Sequence, residues 1–379
     1  MERYLRRDTS KTARIIAISD IHGDAALLSR LLDRVSLRSD DLLVFVGDYI
    51  NRRRQSAKTL RLLMRMAGAP NVVILKGNMD RLIDWYLYRG TPEELLRHFD
   101  DYRAHSFGIL FEQWAAKCGF SAVTAENFAE IRAVLAERYA DEARFVRELP
   151  FGLETDGHIF VHAGVSAARD WTASTEQELL KNDPFLLTGA NNTGKTVVVG
   201  HTPVWNSPLS ANTNNPICDR SRGIIGIDGG IGVKSFSQLN ALVISHTADG
   251  FGYETLFVDE YPRFCAQCGY APQQTNGVFK DSWPDYFLEL VQRGEDFSLC
   301  RLTASRKEGL VKNEHIAHSA GAGDYFAQNS VSTLLRVEKG ERLALLDGSC
   351  GRFAYVKNEE GSIGWVPAEV VGKTALAAE

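Results

Sequence analysis

Six side chains able to bind divalent cations follow short apolar runs: Asp20, His22, Asp48, Asn78, His162 and His201. Carboxylate oxygen, amide oxygen and imidazole nitrogen are the donors that such cations take. Hydrolysis of a phosphate ester at neutral pH needs a nucleophilic oxygen and relief of the substrate's negative charge, and two cations about 3.5–4 Å apart supply both. A pair that close needs a bridging carboxylate with further oxygens and imidazoles around it, and these residues make up such a set. Taken singly, each has a plainer role: Asp20 or Asp48 could cap a helix or turn, and His162 could be a hydrogen-bonded core histidine. Their recurrence at successive strand ends turns the reading toward metal.

The elements that must position them alternate. Residues 14–19 (RIIAIS), 42–46 (LLVFV) and 72–75 (VVIL) read as strands. Between them, residues 25–35 place Leu28, Leu31, Leu32 and Val35 on one helical face, and Ser56 is expected to cap a helix with Leu60, Leu63 and Met64 inward. Each strand ends on a polar cluster: Asp20-Ile21-His22-Gly23, Gly47-Asp48 and Gly77-Asn78. In open α/β sheets ligands gather beyond the carboxyl ends of the strands. Residues 81–147 read as a helical insertion, with Thr91-Pro92 as a start signal and Phe128, Ile131 and Leu135 on one face. Strands return at 159–161, 196–199, 223–228 and 239–245, the first two ending on His162 and His201.

The motifs Asp20-Ile21-His22-Gly23, Gly47-Asp48-Tyr49-Ile50-Asn51-Arg52, Gly77-Asn78-Met79-Asp80, Val161-His162-Ala163-Gly164 and Gly200-His201-Thr202 follow one another in order. Together they resemble the calcineurin-like metallophosphoesterases, and within them the bacterial phosphoprotein phosphatases and diadenosine tetraphosphatases. Leu149-Pro150 and Gly226-Ile227-Asp228-Gly229-Gly230 also have counterparts there, so the resemblance covers about residues 14–250. It implies an α/β fold, a metallophosphoesterase-type β-sandwich flanked by helices. It implies that Asp20, His22 and Asp48 hold one metal, and that Asp48 bridges to a second held by Asn78, His162 and His201. It further implies Arg52, Asp48 and Asp80 as catalytic residues, with Arg52 and Asn78 binding the phosphoryl group. A guanidinium suits two-point contact with such a group. The shell of oxygens and imidazoles suits manganese first, with iron or zinc as alternatives.

Three positions depart from the family pattern. Asn51 stands where Asp is usual, Arg53 where Gly is usual, and Met79 where a histidine usually protonates the leaving oxygen. A thioether cannot donate a proton. His98 or His105, in the insertion, could replace that acid. Pro203 stands where some relatives add a further histidine.

The expected division is a catalytic domain over 1–250, a connecting segment over 251–321 rich in Pro, Gln, Gly and Cys, and a small all-β module over 322–379. Tyr325-Phe326-Ala327-Gln328-Asn329, Val337-Glu338-Lys339-Gly340-Glu341 and Gly364-Trp365-Val366-Pro367 resemble an SH3 domain. An SH3-like barrel is therefore expected, with Phe353, Tyr355 and Trp365 available to line a groove for a peptide or an intramolecular ligand. Val370 stands where such domains usually place a groove tyrosine. Cys265-Ala266-Gln267-Cys268 is a lone C-x-x-C; zinc there would need His315 and His318, or Cys300, and an ordinary loop is the plainer reading.

With 44% hydrophobic and 24% charged residues, the 379-residue chain has an ordinary globular composition. A net charge of −5 gives no general attraction to nucleic acid or anionic membrane. No apolar run spans a membrane, and the basic N-terminal stretch lacks the apolar core of a secretory signal. The expected location is the cytoplasm of a bacterium, with an exported effector as the alternative. The expected activity is metal-dependent hydrolysis of phosphomonoesters on protein side chains, favouring phosphotyrosine. A nucleotide hydrolase and a slow, metal-bound adaptor are the alternatives.

Overall fold

The computed structural model describes residues 3–105, 108–272, 278–318, 325–327 and 331–372. A first unit comprises Met1–Val204, Asn215–Val233 and Ser237–Asp259. In its strand Arg14–Ile18, Ile15 and Ala17 enter one core while Ile16 and Ile18 enter another. That is the two-residue period of a strand covered on both faces. Leu42–Phe45 pairs with it in parallel, and Val72–Ile74 pairs in parallel with Leu42–Phe45. Leu239–Thr247 adds antiparallel on the other side, followed by Gly250–Val258. A second sheet runs in the order Tyr4–Arg6, Gly152–Glu154, His158–Val161, Thr196–Val199, Ile224–Gly226, Ile217–Asp219.

Between the sheets, Ile15, Ala17, Val44 and Val73 meet Leu153, Phe160, Val198 and Ile225. On the outer face of the first sheet, helices Ala25–Val35 and Ser56–Met66 pack Leu28, Leu31, Leu60 and Leu63 against Ile16, Leu43 and Phe45. On that of the second, Leu179, Phe185 and Leu186 cover Ile159, Val161, Val197 and Val199. The layers are helix, sheet, sheet, helix, the sandwich that the sequence implies.

Local chemistry sets several boundaries differently from the expectation. Ser56 is the first helical residue, not the cap; its hydroxyl accepts the Asn51 N–H at 2.8 Å and holds the motif loop. Thr91 does cap its helix: its hydroxyl takes the Glu94 N–H while the Glu94 carboxylate takes the Thr91 N–H. The insertion is helical over Pro92–His105, Leu110–Lys117, Phe128–Arg138 and Ala140–Glu148. The expected boundary at 250 falls inside a hairpin. Gly250–Val258 pairs along its whole length with Leu239–Thr247, and Val258 enters the first unit's core.

The second unit comprises Trp205–Asn214, Lys234–Phe236 and Glu260–Glu379. One sheet runs Arg263–Cys265, Arg342–Asp347, Phe353–Asn358, Ile363–Pro367; the other runs Glu308–Lys312, Phe297–Leu302, Phe287–Gln292, Tyr325–Ala327, Ile316–His318. Residues 251–321 thus carry several strands and are not a plain connector. Phe297–Leu302 alternates half-buried with buried, a period-two signal that the Gly-, Gln- and Pro-rich surroundings obscure. Tyr355 and Trp365 are fully buried with Trp205, Val331 and Ile363, so they form core and do not line an exposed groove. The reason is visible at Trp365, whose Nε1–H donates to the Val331 carbonyl at 2.9 Å and so has a partner inside. Gln328 and Asn329 lie outside the described residues. Among the described residues, no helix is long and apolar enough to cross a membrane.

Candidate metal centre

The metal-capable residues sit on loops in unusual backbone conformations. Asp20, His22, Asp48, Asn51, Arg52 and His201 all have positive φ, between 49° and 69°. Side-chain-bearing residues adopt that region at a cost, and such positions cluster where a site is built. Backbone bonds stitch the loops together: Asp20 N–H to Gly47 O, His22 N–H to Asp48 O, and Gly23 N–H to Tyr49 O, at 2.8–3.0 Å. Two glycines permit the approach. A Cβ on Gly77 would lie 2.2 Å from the Asp48 nitrogen, and one on Gly200 would lie 2.2 Å from Asp20 Oδ2.

Two clusters result, sharing Asp48: Asp20, His22 and Asp48, and Asp48, His162 and His201, with ligand atoms within 4.8 Å of one another in each. His22 Nε2 lies 3.7 Å from Asp20 Oδ1 and 3.9 Å from Asp48 Oδ2. His162 Nε2 lies 3.3 Å from Asp48 Oδ1. The far ring nitrogens fix the orientation: His162 Nδ1 meets the Val46 carbonyl at 2.9 Å and His201 Nε2 meets Asp183 Oδ1 at 2.7 Å. A histidine held at one nitrogen by an acceptor presents the other nitrogen to a metal.

Asn78 completes the second cluster. One terminal atom of its amide lies 2.9 Å from both His162 Nε2 and His201 Nδ1. With nitrogen inward, the amide hydrogen-bonds both rings. With oxygen inward, three electron-pair donors converge on one point, the arrangement that a cation satisfies.

The electrostatics fit the same occupant. Asp20, Asp48, Asp80 and Asp228 are all buried. Burial and the neighbouring Asp228 raise Asp20 well above the usual carboxylate range. Burial likewise raises Asp228, to about 6. Burial opposes a charge on His162, yet Asp48 and Asp20 outweigh it and raise that ring to about 10. Asp20 Oδ1 and Asp228 Oδ2 are buried without a hydrogen-bond partner among the described residues. Crowded carboxylates with orphaned oxygens call for positive charge.

Asp80 is fully buried and accepts N–H groups from Gly77, Asp48 and Tyr49 at 2.8–2.9 Å. These bonds hold the two motif loops together. Arg52 donates to the Gly232 carbonyl at 3.4 Å, and its guanidinium carbon lies 5.8 Å from the Tyr102 ring. Its Nε is buried without a partner among the described residues.

The departures have physical accounts. Asn51 donates to Tyr86 Oη at 3.1 Å and accepts the Leu110 N–H at 2.8 Å, tying the motif loop to the insertion through an uncharged amide. Arg53 is tolerated because the left-handed conformations fall on Asn51 and Arg52 instead. Met79 is buried, and the Tyr102 hydroxyl donates to its sulfur at 3.3 Å. His98 Nε2 instead meets the Tyr86 hydroxyl at 3.1 Å; the His105 side chain lies outside the described residues.

Sequence reasoning assigned no role to Asp183, Asp228 or Tyr102. Asp228 lies within a quoted motif and could have been found there. Asp183 and Tyr102 carry no local signal, because only the fold brings them to His201 and Met79. Cys265 and Cys268 are free thiols and join no metal-capable group among the described residues. His315 instead meets Asp347 at 3.1 Å, Cys300 is buried in an apolar cluster, and His318 is exposed.

Two candidate metal-holding clusters of oxygen and imidazole groups share one carboxylate in a unit built on two mixed sheets, and this fold is of the metallophosphoesterase class. The chain belongs to the calcineurin-like phosphoesterase family, whose model matches residues 13–229. It is 28% identical over 215 residues to a symmetrical bis(5'-nucleosyl)-tetraphosphatase of Xylella fastidiosa, covering 56% of this chain and 61% of that protein. It is 31% identical over 107 residues to the serine/threonine-protein phosphatase PP1-delta of Caenorhabditis elegans, covering 28% of this chain and 35% of that protein. The chain thus spans less than two thirds of the length of these curated relatives. The cold-active protein-tyrosine phosphatase of a psychrophilic Shewanella species superposes with a TM-score of 0.38 at 16% identity, over 68% of this chain and 82% of that one.

Proposed function

We propose that the protein is a two-metal hydrolase of phosphoric esters and anhydrides whose leaving groups depart without a proton donor. Asp20, His22 and Asp48 would hold one divalent ion, and Asp48, Asn78, His162 and His201 the other. Ions so held supply charge neutralisation and a nucleophile at neutral pH. Arg52 takes two oxygens of the transferring phosphoryl group, its guanidinium held by Gly232 and Tyr102. Asp80 and the Met79 N–H, which donates to Asp48 Oδ1 at 2.8 Å, keep the bridging carboxylate in place.

The observation that carries the leaving-group reading is Met79, a buried thioether that has no proton to give. Phenolates and phosphates leave without help; serine alkoxide does not. Phosphotyrosine side chains and nucleoside polyphosphates both meet this condition. The first is the protein-phosphatase reading. The second is favoured by the similarity to bis(5'-nucleosyl)-tetraphosphatases. The test is a panel of an aryl phosphate, phosphotyrosine and phosphoserine peptides and diadenosine tetraphosphate, with and without manganese. Metal-dependent turnover of all but phosphoserine is expected; equal turnover of phosphoserine would overturn the reading.

A further inference from the structure

The second unit holds a group of metal-capable side chains that the proposed dimetal centre does not use: His315, Asp347 and Cys350, with ligand atoms within 4.8 Å of one another. His315 closes the short 3₁₀ turn Asn313–His315, which joins Glu308–Lys312 to Ile316–His318 at the two edges of the five-stranded sheet. Asp347 ends the strand Arg342–Asp347 of the four-stranded sheet, and Cys350 follows in the turn after it. The group therefore links one sheet of the unit to the other.

Three donor atoms of different kinds converge there. His315 Nε2 lies 3.1 Å from Asp347 Oδ2, and Cys350 Sγ lies 3.3 Å from the same oxygen. Zinc bonds of about 2.0–2.3 Å at tetrahedral angles place neighbouring ligand atoms about 3.3–3.6 Å apart, so small shifts would seat one ion among all three. The ligands are also held. Asp347 Oδ1 accepts the Ser349 N–H at 2.8 Å and its hydroxyl at 2.7 Å, which leaves Oδ2 to face His315 and Cys350. The His315 ring stacks on Phe236 with centroids 5.9 Å apart and meets Trp365 edge-on at 4.8 Å. Its Nδ1 is buried without a partner among the described residues, so the ring's hydrogen bonding is all on the Asp347 side. His315 and Cys350 are buried, whereas the Asp347 side chain is 22% exposed, which gives an ion a way in and a water room to bind it.

We propose that His315, Asp347 and Cys350 hold a zinc ion, with water as the fourth ligand, that pins the two sheets of the second unit together. A set of imidazole, carboxylate and thiolate suits zinc over manganese, because the sulfur is a soft donor. On binding, the Cys350 thiol releases its proton to solvent and the imidazole keeps its proton on Nδ1, which leaves Sγ, Oδ2 and Nε2 to the metal. Cys265 and Cys268 take no part. The proposal is independent of the hydrolase reading, since it uses none of the residues of that site.

The experiment titrates the metal-stripped full chain with cobalt(II), which fits zinc sites and whose bond to a thiolate gives a near-ultraviolet charge-transfer band. None of the residues proposed for the dimetal centre is a cysteine, so the band reports a thiolate site alone. Wild type is expected to develop the band with about one equivalent of bound cobalt per thiolate site. Cys350→Ser is expected to lose it, and a double variant with Cys265→Ser and Cys268→Ser to keep it. Asp347→Asn, at the more exposed ligand, is expected to require more cobalt for the same band. Elemental analysis of zinc-loaded protein is expected to find one ion fewer per chain in Cys350→Ser than in wild type. Circular dichroism checks that each variant is folded; if Cys350→Ser is not, Asp347→Asn decides, and a titration there that matches wild type overturns the proposal. Absence of the band in wild type, its survival in folded Cys350→Ser, or its loss in the Cys265→Ser, Cys268→Ser double variant overturns it as well.

Discussion

Replacing Met79 by histidine restores an ionisable proton donor beside the metal ligands, and its effect should depend on what leaves. Met79 is 5% exposed, and its sulfur accepts the Tyr102 hydroxyl at 3.3 Å. An imidazole of similar reach keeps that partner, so the loss of stability is expected to stay below about 2 kcal/mol. A general acid is worth about 10²–10⁴-fold, or about 2.7–5.5 kcal/mol at 1.36 kcal/mol per tenfold. That whole factor is expected for phosphoserine and little of it for phosphotyrosine, whose phenol has a pKa near 10. The assay is kcat/KM on matched phosphotyrosine and phosphoserine peptides in wild type, Met79→His, Tyr102→Phe and His98→Ala. Wild type preferring phosphoserine, with the ratio unmoved in Met79→His, would falsify the leaving-group reasoning. A selective loss on phosphoserine in Tyr102→Phe would make the phenol the acid instead.

Three further outcomes follow from particular contacts. Arg52→Ala is expected to lower kcat/KM by about 2–4 kcal/mol, as removal of other charge donors does, while metal content by elemental analysis stays at the wild-type level. Asp183→Asn should weaken manganese binding by about 10–100-fold, because His201 Nε2 loses the carboxylate at 2.7 Å that sets its orientation; unchanged affinity would refute that role. Burial, with His246 and Lys195 nearby, holds His158 near 4, below the unfolded value of about 6.5. The unfolded chain therefore binds the extra proton between those pH values, and stability falls as pH drops through that window by up to about 3 kcal/mol. Urea unfolding of His158→Gln across pH 4–7 should show a flatter dependence than wild type.

Most of the candidate site could be read from the chain because each proposed ligand sits at the end of an apolar run, where strand geometry and the need for a tight loop both leave marks. Gly77 and Gly200 are such marks; each precedes a ligand because its missing Cβ lets Asp48 or Asp20 approach. The groups that hold the ligands left no such trace. Asp183 and Tyr102 reach the site from elements distant in sequence, and a single carboxylate or phenol in a helical region looks the same whether it faces solvent or a metal ligand. The sandwich was implied by the family resemblance of the motifs; Ile15 through Ile18 are all apolar, and only the structure shows that they enter two cores in turn. The strands inside the expected connector left little mark, because short runs such as Arg263–Cys265 and Ile316–His318 are too brief for a period to show. The buried Trp365 and Tyr355 show the opposite failure: aromatic composition suggested a binding face, whereas packing against Trp205 and Val331 uses those rings as core.

If Asp48 joins two metal sites, turnover needs both. Metal-stripped protein, titrated with manganese while bound metal and aryl phosphate hydrolysis are followed together, is expected to bind two ions per chain at the centre and to gain activity as the second site fills. Asp48→Asn is expected to lose both. Hydrolysis that persists in the metal-stripped protein, or an Asp48→Asn variant that matches wild type in bound metal and in rate, would exclude a bridged pair of metal sites.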